Sequence, residues 1–332
     1  MARKAVELAP CEGASLDDLD PALIDAYRHE LERRRPHSPQ IQQPSTDLLL
    51  GIGAALKVEG RLRPTLTGVL FFGRDPQRFY PGLSITFVHF SGTTTTADDS
   101  DGRLYLDNRE FTGAIPVLLE SARAVLYEKL SKRAVVQGFV RQDVPEYPQF
   151  AYREAIVNAV SHRDYTLEGS SIQVRLFADR LEVQSPGGLG GNLTVENIVY
   201  EQYTRNPHIV RLMEDLGYVE RRGLGVDHMI RAMEVAGLEP PKFEDRGSSF
   251  WVTLKAEQPV RPMPELLELG LNERQIQSLA LFRSRGRLTN REYQQAFDVS
   301  ERTALYDLQG LVETGLALPV SSGRGRYYII RD

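Results

Sequence analysis

The stretch "EAIVNAVSHRDY", residues 154–165, decides how the middle of the chain is interpreted. Its alanine and branched aliphatic residues recur at helical spacing, which predicts a helix over residues 149–163. Glu154, Asn158 and His162 follow one another at intervals of four, so they fall on one side of that helix. A polar stripe on an otherwise apolar helix is either a solvated face or a set of functional groups.

The segments that follow the helix favour a functional stripe. "SIQVRLFADRLEVQS" predicts a hairpin, and it ends at Gly187 and Gly188, whose backbone N–H groups we expect to approach a phosphate or a base closely. A second pair, Gly223 and Gly225, directly precedes a predicted helix, where free N–H groups and the helix dipole favour an anion. Each motif alone is usually an ordinary turn, but their order raises the odds of a binding site.

This order resembles the GHKL (Bergerat) fold of gyrase-type ATPases and sensor histidine kinases. It is most similar to the ATP-binding region of RecG-like transcriptional regulators that are usually found with Schlafen AlbA domains. The resemblance implies that residues 146–256 bind ATP with Mg²⁺. In that family the N-box glutamate orients the attacking water and the asparagine binds Mg²⁺, which makes Glu154 the catalytic candidate and Asn158 the metal ligand.

The resemblance also implies further nucleotide contacts. His162 stands four residues after the asparagine, where kinase-like members carry a basic residue or tyrosine that reaches phosphate. Ser185 stands where the family has an adenine-reading aspartate, so adenine selection would depend on an uncharged acceptor. The expected nucleotide contacts are Asn158, His162, Ser185, Gly187, Gly188, Arg205, Asn206, Gly223 and Gly225. For Arg205 and Asn206, a capping role before Pro207 is an equal alternative.

Near the C-terminus, helix-start patterns open at Asn272, Thr289 and Ser300, and two short strands then flank a basic glycine turn. Three short helices and a hairpin predict a winged helix-turn-helix, with the third helix reading the major groove of double-stranded DNA. The expected DNA contacts are Arg302, Thr303 and Tyr306 on that helix and Arg324 and Arg326 on the wing. Such domains also serve as dimerisation or protein-docking modules, and this alternative stays open.

The predicted fold class is α+β, with a GHKL α/β sandwich preceded by an α/β region and followed by a winged helix-turn-helix. The predicted domains are an N-terminal helical arm and linker (1–46), an α/β domain resembling the segment after AlbA domains (47–145), the GHKL-like domain (146–256), a linker (257–270) and the winged helix-turn-helix domain (271–332).

Charge and composition narrow the function. The net charge is −5 over 332 residues, but residues 272–332 contain nine arginines and seven acidic residues, so the remainder carries about −7. We therefore expect any DNA contact at the C-terminal end. The lone cysteine, Cys11, cannot form an internal disulfide, and we expect it to be an inert side chain in a loose arm. No long apolar run or leader occurs, which predicts a cytoplasmic protein without membrane contact.

The sequence-based hypothesis is a cytoplasmic ATP-binding transcriptional regulator. In it, Mg-ATP biases a homodimer that places two winged helices on double-stranded DNA. Two alternatives remain: an ATPase switch whose C-terminal domain docks a protein partner, and a degenerate GHKL scaffold without nucleotide. ATP hydrolysis is left open, and the absence of a Gly-x-x-x-x-Gly-Lys-Ser/Thr motif argues against a helicase motor.

Overall fold

The structure is a computed structural model. It describes residues 6–96, 104–130, 132–137, 140–220, 225–256, 270–285, 287–322 and 325–330. Two predicted site residues, Gly223 and Arg324, lie outside these ranges. The chain divides into two compact units, residues 1–257 and 258–332, and each is described by itself. Within the described ranges, no helix combines the length and apolarity needed to cross a membrane.

The α-helices of the first unit are α1 (Pro21–Arg34), α2 (Ser45–Gly51), α3 (Leu66–Phe72), α4 (Ile115–Lys129), α5 (Gln149–His162), α6 (Pro207–Asp215) and α7 (Gly225–Val235). Its strands are β1 (Ala55–Val58), β2 (Arg61–Pro64), β3 (Ile85–Phe90), β4 (Tyr105–Phe111), β5 (Lys132–Gln137), β6 (Val140–Pro145), β7 (Ile172–Leu176), β8 (Arg180–Pro186), β9 (Lys242–Asp245) and β10 (Ser249–Lys255). Short 3₁₀ helices cover Val6–Leu8, Leu16–Asp18, Pro39–Gln42 and Pro76–Arg78.

One six-stranded sheet, in the order β4-β3-β7-β8-β10-β9, organises the first unit. Strand β3 pairs with β7 in parallel, with Ile85 opposite Ile172, and the other neighbours are antiparallel. The predicted boundary between 47–145 and 146–256 therefore falls inside a single sheet. The physical reason is that Ile85 and Phe87 of β3 are fully buried, so this strand needs a partner on each side.

Helix α5 forms the layer over the centre of the sheet. It packs on β8 and on α7, and its alanine and aliphatic side chains, among them Ala155, Ile156 and Val160, are buried in the main core. Helix α4 buries Leu118, Leu126 and their neighbours in the same core. The side-chain periodicity of both helices thus places them on one hydrophobic core.

The N-terminal segment is folded, which corrects the expectation of a loose arm. Cys11 is only 1% exposed and packs with Ala14 and Val69 in a small apolar cluster. Its backbone N–H donates to the Pro64 carbonyl at 2.9 Å. Burial raises the pKa of the Cys11 thiol.

Helix α6 is held at both ends by this N-terminal segment. At its start, the buried Glu7 carboxylate accepts the backbone N–H groups of His208 and Ile209, all at 3.1 Å. At its end, the fully buried Asp215 carboxylate accepts the Tyr27 hydroxyl at 2.7 Å and pairs with Arg35 at 2.6 Å. These contacts join residues that are about 200 positions apart in the sequence. They fix α6, which follows the β8–α6 connection that borders the cleft described below.

The second unit contains α8 (Glu273–Arg285), β11 (Leu288–Thr289), α9 (Asn290–Phe297), α10 (Glu301–Glu313), β12 (Ala317–Ser322) and β13 (Gly325–Ile330). Its antiparallel sheet has the order β11-β13-β12. The predicted helix starts are present: Asn272 and Gln275 form reciprocal side-chain to backbone bonds, Thr289 forms a capping box, and the Ser300 hydroxyl accepts Thr303 N–H.

We expect Tyr27→Phe to destabilise the first unit by about 2 kcal/mol, because it removes a buried hydrogen bond to a charged acceptor. Denaturant unfolding followed by the fluorescence of Trp251, the single tryptophan of the chain, reports on this unit. Tyr200→Phe is the control, since Tyr200 is 85% exposed. Equal midpoints for the two variants would show that the Tyr27 hydroxyl does not hold α6.

Candidate functional site

The first unit contains a cleft of about 230 Å³ bounded by α5, the end of β8, the connection from β8 to α6, and α7. The predicted site residues that line it are Glu154, Asn158, His162, Ser185, Gly187, Gly188, Arg205 and Gly225. Asn206 is not in the lining. The structure therefore brings most of the predicted site residues to one cavity.

Glu154 and Asn158 meet on the face of α5 that borders the cleft. Asn158 Nδ2 donates to Glu154 Oε1 at 3.2 Å, as the i, i+4 spacing allows. Burial raises the pKa of the Glu154 carboxyl, and the hydrogen bond from Asn158 offsets part of that rise. Gly225, at the start of α7, lies so close that a Cβ atom there would collide with the Glu154 carboxylate.

The Asn158 side chain has an oxygen available for a ligand. Its amide nitrogen is used by Glu154, and no other hydrogen bond reaches Asn158 within the described ranges. An amide oxygen beside a carboxylate suits Mg²⁺, which prefers oxygen ligands and keeps several waters or phosphate oxygens. Across the described ranges, no group of three or more His, Cys, Asp or Glu side chains is arranged to hold a metal by itself.

The first glycine pair has a different role from the one expected. The N–H groups of Gly187 and Gly188 donate to the carbonyls of Ser248 and Gly247 at 2.9 and 2.8 Å, so they are not free for an anion. Gly187 has a φ of 94°. A Cβ on Gly188 would lie 2.5 Å from Asp245 Oδ1 and 2.6 Å from the Gly247 carbonyl oxygen. These glycines let the end of β8 pack against the β9–β10 turn.

Arg205 and Asn206 act largely on the backbone. Arg205 Nη2 donates to the Gly188 carbonyl at 2.7 Å, and its Nη1 lies 3.7 Å from Asp164. The Asn206 amide nitrogen donates to the carbonyls of Ser161 and Arg163 at 3.0 and 2.9 Å. Asn206 thus ties the start of α6 to the end of α5, and Arg205 braces the glycine turn while its charge still borders the cleft.

His162 and Ser185 both line the cleft, His162 at an exposed position and Ser185 at a buried one. The His162 ring faces open cleft space, although the surrounding protein and the charge of Arg205 lower the pKa of its imidazole, which favours the neutral form. Ser185 is buried and its hydroxyl donates to the Ala159 carbonyl at 2.8 Å. Because its hydrogen is used, Ser185 can act towards a ligand only as an acceptor.

Aromatic side chains that sequence reasoning did not single out complete the cleft. Phe243 and Phe250 stack with their ring centroids 6.3 Å apart, and Tyr203 packs on Gly190 and Gly191. All of them line the cleft. The cleft therefore has aromatic surface in addition to the polar groups of Glu154 and Asn158.

In the second unit, the predicted DNA-contacting residues of α10 are on its outer side. Arg302 is exposed and Tyr306 is 74% exposed, whereas the Thr303 hydroxyl bonds with Ser300 at 2.9 Å. Arg326 is exposed, with its guanidinium 5.7 Å from the Tyr328 ring centre.

The inner side of α10 is fixed by Asp307. This side chain is fully buried and accepts hydrogen bonds from Asn272, Arg274 and Tyr293 at 2.7, 2.9 and 3.2 Å. Three separate donors therefore set the rotation of α10, which keeps the opposite face exposed.

Two family models match the chain. Residues 169–254 match the model described as "Putative ATP-dependent DNA helicase recG C-terminal", which identifies an ATPase-type module. Residues 2–83 match a domain of unknown function, DUF8451. The ATPase-type match begins after α5, so Glu154 and Asn158 precede it.

One solved structure is similar over nearly the whole chain. It is the crystal structure of the DIP2311 protein from Corynebacterium diphtheriae, with 26% identity and a TM-score of 0.59, and the match covers 98% of this chain. The chain spans 64% of the length of that protein. No curated protein matches the sequence.

We expect Glu154→Gln to stabilise the first unit at neutral pH. The pKa of Glu154 is raised in the folded chain, so the ionised carboxylate costs stability above that pKa, and the cost disappears as the pH falls through it. The difference between wild type and variant in Trp251-monitored unfolding should therefore shrink on acidification. Glu201→Gln, at an exposed position of the same cleft, should show no such pattern. A lower midpoint for Glu154→Gln at neutral pH would contradict the assigned burial.

Proposed function

We propose that the cleft of the first unit binds ATP with Mg²⁺. The observation that carries this proposal is the Glu154–Asn158 pair, 3.2 Å apart, facing Gly225 in a cleft of an ATPase-type module. The amide oxygen of Asn158 would hold the metal together with phosphate oxygens. Bound Mg²⁺ supplies the positive charge that offsets the triphosphate and orients it.

The rest of the cleft supports the same orientation of the nucleotide. Phe243 and Phe250 offer an apolar surface for a base, and Ser185 offers it an acceptor. An exocyclic amino group, as in adenine, is the donor that such an acceptor suits. His162, one helical turn after Asn158, and Arg205, in the connection from β8 to α6, line the same cleft as proposed phosphate contacts, and Arg205 contributes its charge without giving up its bond to Gly188.

Glu154 is the proposed general base or water-orienting residue of a weak ATPase. Its raised pKa suits a carboxylate that accepts a proton. Its hydrogen bond from Asn158 holds the carboxylate beside the proposed metal ligand. Binding without turnover would leave the protein as a nucleotide-dependent switch.

We propose that the second unit is a winged helix-turn-helix that reads double-stranded DNA, as the effector part of a cytoplasmic, homodimeric regulator. The supporting observations are the order of its helices and strands and the exposed Arg302 and Tyr306 on α10. Helices of this kind place three or four side chains on base edges, and dimers match two half-sites. Arg326, on the β12–β13 hairpin, would contact phosphate.

A specific observation favours a second candidate, docking of a protein partner. Leu305 is 42% exposed beside Tyr306 on the same outer face of α10. Exposed leucine and tyrosine side chains are common anchors in protein interfaces. The DNA-binding experiment below decides between the two.

Asn158→Ala should weaken the binding of Mg-ATP about tenfold, if its oxygen contributes about 1.4 kcal/mol to the complex. It should leave metal-free binding in EDTA unchanged. Isothermal titration with and without Mg²⁺ measures both values. Asn108→Ala, on the exposed edge strand β4, is the matched control. The proposal fails if wild type binds ATP equally well in EDTA, or not at all.

Arg302→Ala and Arg326→Ala should affect DNA binding in different ways. Arg302→Ala should relax the preference at particular base pairs, at a cost of about 1–3 kcal/mol. Arg326→Ala should weaken binding to all sequences alike, and it should reduce the slope of log K against log salt by about 0.9. Duplexes selected from a random pool, then measured by anisotropy, give both quantities. Arg291→Ala, exposed on α9, serves as the control. An unchanged base-pair preference in Arg302→Ala would favour the docking of a protein partner over the reading of DNA.

A further inference from the structure

The first unit carries a small two-stranded ribbon, residues 55–64, formed by β1 and β2 and not joined to the six-stranded sheet. Its turn consists of Glu59 and Gly60, whose φ values of 51° and 77° are typical of tight hairpins. The first pair of the ribbon, Ala55 and Pro64, is buried, whereas the turn is exposed. The base is therefore anchored and the tip stands in solvent.

Three exposed basic residues occupy this ribbon. Arg61 and Arg63 are two residues apart on β2 and so point to the same face, whereas Lys57 on β1 pairs with Leu62 and points to the other face. Glu59, in the turn, is the only acidic residue in the segment. The ribbon thus has a local charge of about +2, although the chain outside the C-terminal 61 residues carries about −7.

These three side chains are distinguished by the lack of partners. In the described part of the first unit, Lys57, Arg61 and Arg63 form no ion pair, hydrogen bond or ring contact. Of the other described Lys and Arg side chains in this unit, only Arg211 and Arg231 share this property. The remainder bind carboxylates, backbone carbonyls, a side-chain amide or aromatic rings, as with Arg180. An acidic unit has thus left three cations without partners on one protruding element, and two of them, Arg61 and Arg63, share a face.

We propose that the β1–β2 ribbon is a second, phosphate-directed contact to double-stranded DNA. Two-stranded β-ribbons fit the major groove, and unpaired arginine and lysine side chains bind phosphates by releasing counterions. This contact carries no sequence information and adds affinity to the proposed reading by α10. The proposal rests on the proposed DNA binding. The ribbon itself lies in the first unit, whose negative net charge argues against a contact with DNA.

The test compares two full-length double variants of equal charge change. Arg61→Gln/Arg63→Gln removes both arginines of the ribbon, whereas Arg211→Gln/Arg231→Gln removes the two other exposed arginines that lack partners among the described side chains of this unit. Anisotropy on a random-sequence duplex at several salt concentrations gives the slope of log K against log salt. The ribbon variant should lose about 1.8 from that slope, and the control much less.

The outcomes separate this proposal from the proposed function. Equal slopes for the two double variants overturn the ribbon contact, since general charge then accounts for the binding. Weaker binding to heparin without a change on duplex DNA also overturns it, in favour of another polyanion. Arg302→Ala is measured in parallel. Suppose that Arg302→Ala leaves the sequence preference unchanged while the ribbon variant shows the smaller slope of log K against log salt. The reading of bases by α10 then fails, and the ribbon contact stands. An unchanged Trp251 unfolding midpoint shows that the ribbon variant is folded.

Discussion

Helix α5 has to bury an apolar face on the sheet and a carboxylate beside the cleft at the same time. Its aliphatic side chains pack on β8, and this packing turns Glu154 and Asn158 towards α7. Burying a carboxylate costs free energy unless it is hydrogen-bonded, and Asn158 supplies one such bond. A residue that costs stability and lies in a cleft is more readily explained by function than by folding. Gly225 fits this arrangement because any larger residue would collide with the carboxylate.

The sequence allowed accurate prediction of the elements whose signal is local. Helix α5, the β7–β8 hairpin and the three C-terminal helices all lie where periodicity and capping residues indicated. The joining of residues 47–145 and 146–256 in one sheet could not be predicted, because it depends on the parallel pairing of β3 with β7 across more than 80 residues. No local pattern records which distant strand becomes a neighbour.

The same distinction applies to the site. Glu154 and Asn158 are separated by one helical turn, so their proximity follows from sequence alone. The roles of Gly187 and Gly188 do not, since their N–H groups are used by the β9–β10 turn, about 60 residues later in the chain. Asn206 likewise bonds to the end of α5, more than 40 residues earlier. Net charge has a comparable limit, because the total of an acidic unit does not show the locally basic ribbon at residues 55–64.

The nucleotide cleft is the central claim, and a crystal structure of the protein with Mn²⁺ and a non-hydrolysable ATP analogue tests it most directly. The account predicts an anomalous Mn²⁺ peak bound to Asn158 Oδ1 and to phosphate oxygens. It also predicts the base between Ser185 and the Phe243–Phe250 pair. A nucleotide bound elsewhere, or a Mn²⁺ peak away from Asn158, would contradict it.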